Sequence, residues 1–159
     1  MKNTTLEKWQ DPTVIKSALK SKIIAVVGMS SKELRASYFV GYYLKRKGYE
    51  VIPVNPRESE ILGMKCYPSL AAIPHSIDVV NIFREPSAVP PIATESVSIG
   101  AKYLWLQFGV ISPEGVSIAT EGGMKCVVDR CIKIEYARYH GRMHWLGFNT
   151  KQIKATRDN

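Results

Sequence analysis

Five short runs in this chain are apolar almost throughout, where a strand with one wet face would be apolar only at alternate positions: Ile23 to Val27, Val51 to Val54, Ile77 to Phe83, Tyr103 to Leu106 and Cys126 to Val128. Strands of that kind must be covered on both faces. Between them lie segments of helical spacing, and a strand–helix alternation of this sort closes as a parallel sheet between two helical layers. Right-handed crossovers then make the fold doubly wound.

The helices carry their own punctuation. Asp11 and Pro12 open a short lead-in helix whose buried face is Val14, Ile15, Ala18 and Leu19. Phe39, Val40, Tyr43 and Leu44 line one side of a helix from Ala36 to Lys47, and Gly48 stops it. In a helix from about Ala88 to Ile99, Pro90 and Pro91 fall in the first turn, where their missing N–H groups are not needed. Further helices are predicted over Pro113 to Glu121 and Cys131 to Tyr139. The stretch NPRESEILGMKCYPSLAAIP has no long helical pattern and reads as a loop or short hairpin with one helical turn. The whole reads as one α/β domain over residues 1–139, with a five-stranded, mainly parallel Rossmann-like sheet in the order 3-2-1-4-5. A basic tail follows over residues 140–159.

Several classes of protein are excluded at this level. No apolar stretch approaches the roughly 18 residues of a membrane span, and the amino-terminal residues lack the apolar core of a secretory signal. Three cysteines without a C-x-x-C pair argue against a disulfide framework or a zinc site, and point to the cytoplasm. The net charge of +8 calls for an anionic partner, whether a polyphosphate ligand, nucleic acid or a membrane surface.

Ligands of open parallel sheets bind outside the carboxyl ends of the strands. The residues that follow the five strands are Gly28, Ser30, Ser31 and Arg35; Asn55, Pro56 and Arg57; Arg84, Glu85 and Pro86; Gln107; and Asp129, Arg130 and Cys131. Four of the five strands deliver an arginine to one rim. A guanidinium fork matches phosphate, and helix N-termini beside it add amide donors, so the rim reads as a site for several phosphates. Singly, each residue also has a structural reading: Gly28 as a tight turn, the serines as caps, Asp129 as the N-cap of the last helix.

The segments VVGMSSKELRAS, GYEVIPVNPRESEILGMKCYPSL, DVVNIFREP, GAKYLWLQFGV and VVDRCIKIE, in that order, resemble the small stand-alone coenzyme A-binding domain proteins, which are similar to the N-terminal domain of the succinyl-CoA synthetase α subunit. The resemblance runs from about Lys22 to Arg138. It implies that the loop of Gly28, Met29, Ser30, Ser31, Arg35 and Ser37 holds a diphosphate. Asn55, Pro56 and Arg57 would line the adenosine side, and Phe83, Arg84 and Pro86 the rest of the cofactor, with Gln107, Arg130 and Cys131 on the same rim.

The expected function is binding of coenzyme A or an acyl-CoA without catalysis or a metal. Cys131, at a helix start beside Arg130, is placed for disulfide exchange with the cofactor thiol. The synthetase phosphohistidine has no counterpart, and His75, His140 and His144 receive no role. Two alternatives stay open. The second strand ends in VNPR without an acid for a ribose 2′-hydroxyl, which disfavours NAD but leaves an NADP-dependent oxidoreductase, since Arg57 could meet a 2′-phosphate. The tail, with Trp145 and Phe148 among basic residues, leaves a nucleic-acid binder, although docking of the tail on the domain or on a second copy in a homodimer is the preferred reading.

Overall fold

Each of the five predicted strands forms, and all lie parallel in one sheet of the computed structural model, which describes residues 4–141. In chain order the elements are α1 (Thr4–Glu7), α2 (Pro12–Leu19), β1 (Ile23–Val27), α3 (Ala36–Arg46), β2 (Glu50–Val54), β3 (Glu60–Ile61) and β4 (Met64–Lys65). There follow β5 (Val79–Ile82), α4 (Val89–Ser98), β6 (Tyr103–Leu106), α5 (Pro113–Glu121), β7 (Lys125–Val128) and α6 (Ile132–Tyr136). The sheet runs β2-β1-β5-β6-β7.

The α/β class and doubly wound parallel sheet are as the sequence indicates, and the strand order needs one adjustment. Numbered by chain position the five strands lie 2-1-3-4-5, because β5 pairs with β1. Outside β2, where the order 3-2-1-4-5 places a further strand, there is a single parallel bridge between Val54 and Tyr67. The reason is local. Residues 55–74 fold as the β3–β4 hairpin and a 3-10 turn at Leu70–Ala72, with no helix to carry a full crossover.

Successive residues of each strand feed opposite cores, which is why the runs are apolar throughout. On one face Ile24, Val26, Val79, Trp105 and Val127 meet α2, α3 and α6 through Ile15, Leu44 and Ile132. On the other, Ala25, Val80, Ile82, Leu104 and Val128 meet α4, α5 and the Leu70 turn through Val89, Ala93 and Val116. With α3 on the first face and α4 on the second, the chain leaves β1 and β5 in opposite directions. Their carboxyl ends form the switch point.

Two helix boundaries differ from the expectation. Pro86–Ala88 form a 3-10 turn before α4, which keeps Pro90 and Pro91 in its first turn. The last helix is shorter than Cys131 to Tyr139: α6 gives way at Ala137–Gly141 to a π-helical turn, where His140 stacks on Tyr136 at 4.0 Å. Its N-cap is Cys131 and not Asp129, whose φ of 61° takes it out of the capping geometry. The tail beyond residue 141, with His144, Trp145 and Phe148, lies outside the described residues. Among those described, no helix is long and apolar enough to cross a membrane, and no cluster of His, Cys, Asp and Glu could hold a metal ion.

Candidate functional site

The loop after β1 is fastened on both sides. Gly28 donates its N–H to Val54 O (2.8 Å), and Phe83 donates its own to Val27 O (2.9 Å), so the ends of β2 and β5 close on it. Gly28 has a φ of +87°, and a Cβ there would stand 2.6 Å from the Phe83 carbonyl oxygen and 3.0 Å from Arg84 Cδ. Glycine is therefore demanded twice at this position, by the left-handed backbone and by the neighbouring strand.

Beyond Gly28 the predicted diphosphate residues lie together. Met29 turns a fully buried side chain onto α3, where Gly41 gives it room. The Ser30 N–H is taken by Ser37 Oγ (2.9 Å), and Ser30 Oγ accepts from Lys32 N–H (3.0 Å). Ser31 Oγ donates to Glu58 Oε2 at 2.7 Å. Arg35 is the N-cap of α3 in extended backbone and supplies no side-chain acceptor, so no side chain caps the first turn of the helix. Uncapped amides at the positive end of a helix of this length favour an anion.

The end of β2 is joined to this loop by Asn55, which donates from Nδ2 to Met29 O (3.0 Å) and accepts at Oδ1 from Arg57 N–H (2.9 Å). That double bond pattern holds Pro56 and Arg57 exposed beside the serine loop. At the end of β5, Phe83 is half-buried, and Arg84 and Pro86 are exposed. Arg84 grips Glu85 from Nε (3.1 Å) and Nη2 (3.4 Å). The hydrogen bond from Arg84 holds the Glu85 carboxyl below the usual glutamate range.

The remaining predicted residues sit further along the rim and are occupied with the fold. Gln107 is buried, and its Oε1 accepts from Asn81 Nδ2 and from Ile132 N–H, both at 3.3 Å. It thus ties β5 and β6 to the start of α6. Arg130 turns away to donate to Gln10 Oε1 (3.0 Å), while its carbonyl accepts from Trp105 Nε1 (2.8 Å). Asp129 Oδ1 accepts from Gly109 N–H at 2.6 Å. Cys131 is half-buried against the first core, and the cation expected beside it is engaged elsewhere.

Two participants were missed from sequence. Glu58 lies four residues past β2, and its contact with Ser31 could not be read from spacing. Asn81 did leave a signal, as the polar residue in the apolar run VVNI. It is fully buried and its Oδ1 has no hydrogen-bond partner.

Comparison with known proteins gives the family and the fold. Residues 22–137 match the family described as CoA binding domain. YneT of Bacillus subtilis (strain 168) is 40% identical over 118 residues, covering 74% of this chain and 87% of YneT. A hypothetical protein from Pyrococcus horikoshii OT3 superposes with a TM-score of 0.83 at 37% identity, covering 89% of this chain and all of that one. Acetate–CoA ligase [ADP-forming] I of Archaeoglobus fulgidus is 30% identical over 121 residues, 70% of this chain but 18% of the ligase.

Proposed function

The chain belongs to the CoA-binding domain family, and from that premise we propose that it binds coenzyme A or an acyl-CoA across the carboxyl ends of β1, β2 and β5. The observation that carries the reading is the fastened Gly28–Ser37 loop, which presents the uncapped end of α3 between Arg57 and Arg84. The diphosphate takes the α3 amides together with Arg35, and with Ser31 once its hydroxyl turns from Glu58 to the ligand. The ribose phosphate takes Arg57, and Arg84, whose fork already holds a carboxylate, takes a further phosphate oxygen.

The protein acts as a binder and carries out no reaction of its own. Three rim acids are committed, Glu85 to Arg84, Glu58 to Ser31 and Asp129 to the Gly109 amide. Of the two histidines among the described residues, His75 is occupied at Ser76 O and near Glu50, on a turn away from the rim, and His140 is stacked on Tyr136. Arg57 is the one feature that also suits the 2′-phosphate of NADPH. Calorimetric titration separates the two: heat of binding with coenzyme A and none with NADPH supports this reading, and the reverse result rejects it.

A further inference from the structure

A cleft of about 470 Å³ lies beside the rim, where the amino-terminal segment crosses α5 and the end of β7. Building on the coenzyme A reading above, we propose that this cleft receives the acyl chain of an acyl-CoA thioester. Its surface is mainly apolar, from Leu6, Trp9, Ile111, Pro113, Val116 and Val128, with Lys8 and Glu121 among the polar residues that border it. Its size falls within the roughly 300–1,000 Å³ typical of small-molecule sites.

Position and reach select the occupant. Val128 ends β7, Ile111 lies between β6 and α5, and Pro113 opens α5, so this end of the cleft lies on the carboxyl side of the sheet, as the Gly28 loop does, and the cleft runs from there along α5 to Thr120 and Glu121. From β1 to β7 there are three strand spacings, roughly 14 Å. An extended pantetheine arm covers such a distance. Along that path the loop after β6 exposes Phe108 (73%) and Ile111 (44%), apolar surface that would otherwise face water.

The outer wall is held firmly enough to serve as a binding surface. Val128 donates its N–H to Trp9 O (3.0 Å), Gln10 Nε2 donates to Val128 O (3.0 Å), and Arg130 holds Gln10 Oε1. Arg130 thereby acts through the wall and not on a phosphate.

The test is a titration series on the full chain with free coenzyme A, acetyl-CoA, hexanoyl-CoA and decanoyl-CoA. Affinity should rise about fourfold per methylene until the cleft is filled, and then level off. Ser117, an exposed residue of α5 at the cleft border, is the place to block it. Ser117→Trp should flatten the series and leave the dissociation constant of free coenzyme A unchanged. Affinity independent of chain length in the wild type, with free coenzyme A bound, overturns the acyl site and leaves the coenzyme A reading standing. Retention of the full gain in Ser117→Trp, or a concentration-dependent dimer that this substitution abolishes, assigns the cleft to something else. Failure of every thioester and of free coenzyme A to bind removes both readings together.

Discussion

Replacing Gly28 by alanine tests the geometry on which the whole rim depends. Two costs add at this position. A residue with a side chain in left-handed backbone loses about 1 to 2 kcal/mol, and the new Cβ would lie 2.6 Å from the Phe83 carbonyl oxygen. That oxygen belongs to backbone at the end of β5, so the strand end itself has to move, an overpacking cost of about 1 to 3 kcal/mol. Gly28→Ala should therefore lose about 2 to 5 kcal/mol. Gly48 separates the terms, since its φ is +99° and a Cβ there meets nothing within 4 Å. Gly48→Ala should lose only the first cost. Urea unfolding of both variants at one pH gives the difference directly. Equal losses in the two would show that the approach of Phe83 plays no part in the requirement for glycine, and that the fastening of β1 to β5 has been misjudged.

The remaining expectations concern the arginines and a thiol. Arg57→Ala and Arg84→Ala should each weaken coenzyme A binding by about 1 to 3 kcal/mol, through loss of a charge-assisted contact. Unchanged affinity in both would place the phosphates elsewhere. Burial pushes the Cys126 thiol up to about 11, so its contribution to stability is complete below about pH 9 and is lost as the pH rises through about 11. In Cys126→Ala the part of the stability loss between those limits that the wild type shows in excess should vanish. Identical pH profiles for the two proteins would refute the assignment.

The parts legible in the sequence are those governed by local rules. Unbroken apolar runs identify the strands, and Pro12, Pro90 and Pro91 mark helix starts because proline's constraint is its own. The serine loop was legible for the same reason, since glycine, serines and a helix start follow one another within a few residues. Arg130 was not, because what directs its side chain is Gln10, 120 residues away in the chain. Asp129 failed as a cap because its carboxylate is claimed by the Gly109 amide on the neighbouring loop. The place of β5 next to β1 depends on which face each crossover takes, and a single-residue bridge at Tyr67 has no sequence pattern of its own.

The amino-terminal segment has a second consequence. A parallel sheet of five strands has two borders, and a border with free amides and carbonyls invites another chain to pair with it and grow aggregates. On the β7 side the Trp9 carbonyl and the Gln10 side chain take both backbone groups of Val128. On the β2 side Tyr67 donates to Pro53 O and accepts from Asn55 N–H, and Pro53 itself has no N–H to offer. Recruitment of a stray strand is thus resisted at both borders by residues that also frame the ligand rim, so trimming the amino-terminal segment would expose β7 to intermolecular pairing as well as open the cleft.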